Sequence, residues 1–564
     1  MKTRAKKFIL IFVLFSTQYI YCQDLSNIKG SKPFELKGSI SAGLSSINST
    51  RNQTEQNSLF YSTSIAPIFK FYGVEIPVSV TFSNRQTTFQ QPFNRYGASI
   101  KYKWAKAHVG YRNVFFSDYT LASRTIVGGG FEINPSILRV GFMMGKINNK
   151  IEINNNQVDE VTEPKFERKI MAFKLGLGKS NNYFDINVLK GSDIYSPAQL
   201  DSNRKKLVTP EENFVASVHI VQKIYKYFNI DIEGAGSFYT KNKVSPEMEY
   251  DFVGKDIVSK LIKTNISTQA NYAIKGKFDI QLNQFNTSLT YRYVMPDFKS
   301  MGSYFFNTDI REIAINPSAS FIKGKINLAG QFGLQHNNLT KRKIQTSDRV
   351  IYGLNMTLSA IKNLNISAYF NNNKTELVNV QADRLLDSFN LTQNNLQIGT
   401  MITYMITKNS NNQNISMSFN HNNFEILSLY DPSNTLSFNN VSNSVVISYN
   451  YKWKKSKLGF GSQINYFGSS NNQNSTSRIG LNINANKSFY KTKLNVRLGI
   501  GYAFNYLDHF ADGSSIRTTF NLGYALAKKH NISLQTDIFH RNYKIQNKLN
   551  VNDYRSSLRY VYNF

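Results

Sequence analysis

A single cysteine, Cys22, stands in 564 residues, so no disulfide can form within the chain. Beyond residue 23 no run approaches the roughly 18 to 20 apolar residues that a membrane helix needs, which excludes a helical membrane protein. Acid is scarce, with 36 Asp and Glu against 67 Lys and Arg, a formal net charge of +31. No glycine-rich phosphate loop and no nucleophile elbow occurs. The seven histidines are scattered without metal-ligand spacing. These absences leave the nucleotide-binding, hydrolase and metal-site classes without support, and no cofactor or metal is expected.

What is present begins at the amino-terminus. Met1-Lys2-Thr3-Arg4-Ala5-Lys6-Lys7 is followed by the apolar run Phe8–Phe15 and then Ser16 to Cys22. A basic start and a short apolar core predict a secretory signal peptide over residues 1–22, cleaved after Cys22. Lipoprotein processing at Cys22 needs small residues before the cysteine, and Ile20-Tyr21 does not supply them. Losing the four cationic residues of that leader takes the net charge from +31 to +27. In a cytosolic protein such a surplus would point to nucleic acid. Export removes that partner, and the cations are expected to meet lipopolysaccharide phosphates, anionic solutes or another protein.

The mean hydropathy is −0.36, a value usual for soluble proteins, yet 41 Phe, 33 Tyr and 2 Trp make aromatics 13% of the chain. Alternation reconciles the two, because strands with one apolar and one polar face average to an unremarkable hydropathy. Leu494, Val496, Leu498, Ile500, Tyr502 and Phe504 oppose Asn495, Arg497, Gly499, Gly501 and Ala503. Ile479, Leu481, Ile483 and Ala485 oppose Gly480, Asn482, Asn484 and Asn486. Leu36, Ile40, Ala42 and Leu44 oppose Lys37, Ser39, Ser41 and Gly43. Many such segments sustain about ten residues, the length that crosses a bilayer when tilted.

The connections alternate between long and tight. Long ones are expected near Ile47–Asn57, Asn148–Glu163, Gly191–Glu212, Thr240–Ile262, Met295–Ile310, Asn337–Arg349, Asn371–Asp387, Gly468–Ser477 and Leu507–Ser515. Tight ones are expected at Tyr72-Gly73, Lys106-Ala107, Asn134-Pro135, Lys275-Gly276, Lys323-Gly324, Lys362-Asn363, Tyr490-Lys491 and Lys529-His530. The fold expected is all-β, a transmembrane antiparallel β-barrel of about 26 strands within a range of roughly 22 to 26. After a short periplasmic segment at 23–32, residues 33–564 form that one domain. Lysines at the tight turns and the pairs Tyr291/Tyr293 and Tyr449/Tyr451/Trp453 suit the headgroup boundary.

The last residues sharpen this. Tyr554, Ser556, Leu558, Tyr560, Tyr562 and Phe564 share one face, while Arg555, Ser557, Arg559, Val561 and Asn563 share the other. The segment resembles the closing strand of bacterial outer-membrane β-barrels. That resemblance implies that Tyr560, Tyr562 and Phe564 form a membrane-insertion signal read by the barrel-insertion machinery, in a cell outer membrane. Tyr291–Val294 and the following Met295–Arg311 are similar to a segment of large plug-less outer-membrane barrels of the Bacteroidota, a likeness that carries no activity with it. No stretch here matches the plug domain of TonB-dependent transporters or POTRA-type modules.

A barrel of this size leaves an aqueous or plugged lumen. The leading expectation is a porin-like or substrate-selective channel for polar or anionic solutes, with Arg497, Arg541, Arg555 and Arg559 facing inward. The Met295–Arg311 loop is unusually aromatic. Folded into the lumen it would bury Tyr304, Phe305 and Phe306 and present Lys299, Asp309 and Arg311 to a solute; the other reading rests it on the rim. A second loop, Asp508-His509-Phe510-Ala511-Asp512-Gly513, sets a histidine beside carboxylates, but Asp512-Gly513 is explained as a turn and no enzyme is expected. The alternatives are a non-conducting structural or accessory barrel of a secretion or surface-assembly complex, bound to other outer-membrane proteins, and a soluble or surface β-repeat adhesin.

Overall fold

The computed structural model describes residues 33–50, 56–84, 95–149, 166–195, 208–248, 260–304, 307–380, 390–428, 437–544 and 549–564. The expected leader and the segment 23–32 lie outside the described residues, as do Phe305 and Phe306. Strands run from β1 (Phe34–Ser49) to β27 (Val551–Asn563), and every pairing between them is antiparallel. The sheet then closes on itself. β1 pairs with β27 from Ser39 opposite Asn563 to Ser49 opposite Asp553, and Phe564 N–H donates to Gly38 O at 3.0 Å. Closure leaves no edge, which a sheet in hydrocarbon requires.

Between β13 (Phe285–Val294) and β16 (Ile326–Asn337) the wall strand comes in two pieces, β14 (Ile310–Ile315) and β15 (Ser318–Phe321). Pro317 has no N–H to give the ladder, and the strand breaks at Asn316-Pro317. Counted as one, the two pieces make a closed barrel of 26 strands.

The side-chain period of two decides which solvent each residue meets. On β23 (Ser475–Phe489) and β24 (Leu494–Leu507), Ile479, Leu481, Ile483, Leu498 and Ile500 stand exposed on the outside. The residues alternating with them, among them Asn482, Asn484 and Gly499, line the inside. Exposed apolar side chains in this number would be untenable in water and are at home in lipid. The chain is therefore a transmembrane barrel of the outer-membrane type, located in the outer membrane. Tyr451, Trp453 and Phe460 pack ring to ring, with centroids 4.3 and 5.8 Å apart, beside the turn that carries Lys454, Lys455 and Lys457.

Parity of the connections holds around the wall, with corrections in detail. Tight turns occur at Tyr72-Gly73, 134–137, 322–325, 359–363, 490–493 and Lys528-Lys529. Lys106-Ala107 is not a turn: it lies in β5 (Ala105–Phe115), and the chain reverses at Lys103-Trp104, where Lys103 takes φ 48°. Lys275-Gly276 lies inside β12 (Thr268–Gln281), and the turn falls at 282–284. Lys275 is a lumen residue bound to Asp118, so a Lys-Gly pair imitates a turn. Two expected long loops are short. β22 (Leu458–Asn471) reaches β23 in three residues, and β24 reaches β25 (Phe510–Ala527) through Asp508-His509 alone. Both residues of that turn have positive φ, 47° and 68°, as a two-residue hairpin demands. The polar run from Asn371 is strand, not loop, since β18 (Leu364–Asn379) continues through it.

Candidate functional site

The lumen has two unlike walls. The first runs from β5 to β14 through β6 (Ala122–Ile133), β7 (Leu138–Asn148), β8 (Glu167–Lys179), β9 (Asn182–Ile194), β10 (Glu212–Ile224), β11 (Phe228–Thr240), β12 and β13. Most of its inward charges pair with one another, while Arg112 donates to Ser79 Oγ at 3.1 Å. Arg139 grips Asp185 in bidentate fashion at 2.7 and 2.9 Å, and Arg168 grips Asp193 at 2.6 and 2.8 Å. Arg292 meets Glu312 at 2.6 Å, Lys275 meets Asp118 at 2.5 Å, and His219 meets Asp231 at 2.9 Å. Removing one partner of such a buried pair would leave a costly unmatched charge.

Two connections fold inward and complete this wall. Glu233, nearly fully buried, accepts from the backbone N–H of Asp118 and Tyr119 at 3.1 and 3.2 Å. This draws the β5–β6 connection into the barrel. Phe116, Tyr119 and Leu121 then pack with Phe298 and Met301 against Met143, Ile170, Leu189 and Val215. Two glycines serve close packing there: a Cβ on Gly130 would lie 2.6 Å from Met143 Sδ and one on Gly128 2.6 Å from Gly145 Cα, whereas Gly129 has room for one. The Met295–Arg311 loop is tied to the same core. Met301 N–H donates to Asn213 Oδ1 at 2.9 Å, Ser300 Oγ donates to Thr120 O at 2.8 Å, and Arg124 donates to Ser303 O at 2.7 Å.

Thus the loop is folded inside the barrel, but the buried residues are Phe298 and Met301, whereas Tyr304 stays exposed. Lys299 is not free for a solute. It donates to Tyr239 Oη at 2.6 Å and to Glu211 at 3.1 and 3.2 Å. Burial holds its ammonium below the ordinary lysine range. Asp309 is buried, pairs with Lys343 at 2.5 Å and accepts from Leu339 N–H at 2.8 Å, fastening the loop to the next hairpin. Arg311 is not a lumen residue. It stands opposite Tyr293 on the outward face of β14 with Ile313 and Ile315, because the strand begins one residue earlier, at Ile310.

The second wall runs from β16 to β27 and on to β1. Its inward side chains are Asn, Gln, Ser and Thr, with glycines beside them. Asn450 and Asn484 lie over Gly461, Asn465 over Gly480 and Asn486 over Gly459, so that a Cβ on Gly461 would sit 2.6 Å from both amides. The amides therefore lie flat along the wall instead of projecting from it. The cations differ from those of the first wall. Arg478, Arg497, Arg559 and Lys452 have no hydrogen-bond or ion-pair partner among the described residues. Arg517 pairs with Asp537 at 2.8 Å, Arg541 with Asp512 at 2.9 Å, and Arg555 approaches Asp553 at 4.0 Å.

Register places these arginines in order, and all six face inward. Arg478 shares a row with Asn505, Arg541 with Ser515, and Arg517 with Gly501. Arg555 shares one with Asp537, Arg497 with Asn521, and Arg559 with Ser533. Sequence alternation identified Arg497, Arg541, Arg555 and Arg559 but passed over Arg478 and Arg517, although Arg478 alternates with Ile479 in the same pattern. Tyr560 and Tyr562 stand on the outward face of β27, and Tyr562 packs against Phe564 at 5.6 Å. The Asp508–Gly513 segment holds no composite site. Asp508 caps Ser475 N–H at 2.7 Å, while Asp512 serves Arg541. A row from Ser99 through His108 to Glu132, at 2.9 and 3.2 Å, shares its carboxylate with Lys106 and Lys174 and belongs to the paired network. Among the described residues no group of three His, Cys, Asp or Glu could hold a metal.

No protein-family model and no curated protein matches the chain. Among solved structures it is similar to OccAB2 of Acinetobacter baumannii, at 10% identity over 63% of this chain and 92% of that one, TM-score 0.30. It is also similar to OccK9 (OpdG) of Pseudomonas aeruginosa, at 10% identity over 70% and 98%, TM-score 0.30. The translocation pore of the P pilus usher PapC matches at 10% identity over 93% and 98%, TM-score 0.26. A likeness of this degree is that of one large antiparallel barrel to another and carries no function across.

Proposed function

We propose that the barrel is a passive outer-membrane channel whose aqueous path follows the second wall, from β16 to β27 and β1, and that it favours polar and anionic solutes. The observation that supports it most is the division of the charges. On the first wall most cations are matched by acids, and Arg112 and Arg124 are bound by Ser79 Oγ and Ser303 O, whereas on the second Arg478, Arg497, Arg559 and Lys452 face the lumen without acid partners. A lining of amides, hydroxyls and unmatched cations lowers the cost of an anion shedding part of its hydration, and multiple weak sites let it leave again. Outer-membrane barrels keep short turns in the periplasm, so Arg497 and Arg559 stand toward the periplasmic mouth. Outer-membrane lipid and lipopolysaccharide are the surroundings proposed for the outer face, and Tyr560, Tyr562 and Phe564 the signal read by the insertion machinery.

Purified protein in planar bilayers under a salt gradient tests this. The expected reversal potential has the sign of anion preference, and cation preference overturns the selectivity. The filled first wall favours a second reading, a non-conducting accessory barrel. Co-purification with stoichiometric partners and an absence of conductance would establish that reading in place of the channel.

A further inference from the structure

Six arginines of the strands from β23 to β27 occupy six successive inward rows of the register, one to a row, in the order Arg478, Arg541, Arg517, Arg555, Arg497, Arg559 from the long-loop end to the short-turn end. Successive rows are two residues apart, roughly 6.8 Å along a strand. They gather into two stations. Arg478 lies within electrostatic reach of Arg517 and Arg541 toward the long-loop end. Toward the short-turn end Arg497 and Arg559 join Lys452 around one cavity of about 950 Å³.

The lower station is a built recess in the wall. Four cationic residues line it, of which Lys487 lies over the Phe489 ring and leaves Arg497, Arg559 and Lys452; beside these three it offers the amides of Asn486, Asn521 and Gln535 and the hydroxyls of Ser533 and Ser557, and no acidic side chain lines it. Its volume is near the top of the roughly 300 to 1,000 Å³ typical of small-molecule sites, far more than a bare inorganic anion fills. Amides and hydroxyls both donate and accept, which suits a ligand whose hydroxyls do the same. Guanidinium groups suit carboxylates through paired N–H donors. No aromatic ring lines the recess, so no ring stacks on a ligand there.

We propose that this recess binds a short acidic oligosaccharide in transit, with its carboxylates on Arg497, Arg559 and Lys452 and its hydroxyls on the amide and serine side chains. The repeated charges of such a chain match the repeated arginine rows above, so that it passes from one station to the next. The proposal rests on the channel reading for access to the lumen.

Calorimetry of the full-length protein in detergent tests it without requiring conduction, with trigalacturonate as probe, maltotriose as its neutral counterpart and inorganic phosphate as the bare anion. Trigalacturonate is expected to bind saturably, and maltotriose and phosphate at least tenfold more weakly. The double variant Arg497→Gln/Arg559→Gln is expected to lose tenfold or more, and Arg497→Lys/Arg559→Lys to retain part of the affinity. Heat-modifiable gel migration checks that each variant remains a folded barrel. Equal binding of maltotriose overturns the role of the cations, equal binding of phosphate overturns the role of the hydroxyl-binding groups, and unchanged affinity in the folded Gln variant overturns the site. A barrel that conducts without binding loses only this proposal. One that binds without conducting loses the channel.

Discussion

Glu211 shows how the inserted loop is held. Burial works against its charge, yet Arg168 at 2.6 Å and Lys299 at 3.1 Å keep its carboxyl below the usual glutamate range. A carboxyl so depressed adds stability above its unfolded value, roughly 4.3, and that stability is lost as pH falls through the depressed value. Asp193 shares Arg168, and Tyr239 accepts from Lys299, so protonating Glu211 leaves two cations with fewer partners. Single-channel records taken from pH 7 down to pH 3 are expected to stay flat to the ordinary carboxylate range and then show larger, noisier conductance. A flat record throughout would mean the loop is held by packing alone. Packing is tested by Met301→Ala, which removes a fully buried side chain at a cost of about 2 to 5 kcal/mol and is expected to raise gating noise at neutral pH. Such commitments could not be read from the chain, because Lys299 and Glu211 are 88 residues apart and meet only once the barrel closes. The aromatic character of Met295–Arg311 did announce a loop that must pack. It did not tell Phe298 from Tyr304, since that depends on which strands face the loop.

At the level of the strand, alternation alone separated the faces of β1, β23, β24 and β27, because water and lipid impose opposite demands at every second residue. Turns were harder. Lys275-Gly276 and Asn371 have turn-like composition, but in a wide lumen Lys, Gly and Asn are equally good wall residues. The glycines of the second wall make a prediction of their own. Gly461→Val places branched carbon where the amides of Asn450 and Asn484 now lie, and these must turn toward the lumen. Conductance is expected to fall while heat-modifiable migration persists; an unchanged conductance would show that the path does not touch this wall. In the closing strand, removal of Phe564 deletes the last outward ring and its backbone donation to Gly38. Less folded barrel is expected in outer-membrane fractions of expressing cells, measured by the heat-modifiable band. Equal amounts would show that the terminal ring is not part of the insertion signal.

For the whole molecule the consequence is a barrel that is broad in strand number yet filled along one side of its lumen. Twenty-six strands enclose a wide lumen, and the paired network with its two inserted loops takes up one side of it. Alternation reads the shell from local sequence, whereas the filling depends on contacts such as Arg124 to Ser303, 179 residues apart. A variant lacking the inserted residues 297–304 is therefore expected to conduct as a much larger pore with weaker selectivity, measured as higher unitary current and a reversal potential nearer zero. An unchanged unitary current would place the path wholly apart from the loop. The break at Asn316-Pro317 gains meaning from this division, since it falls where the filled side ends and the open side begins. Asn316 N–H still donates to Ser288 O and Pro317 O accepts from Gly330 N–H, so the join lacks only the rung that proline cannot give. Backbone amides beside it are expected to exchange hydrogen sooner than those of the adjoining strands, as in a wall that flexes along one line of its circumference; equal exchange would show an evenly held wall.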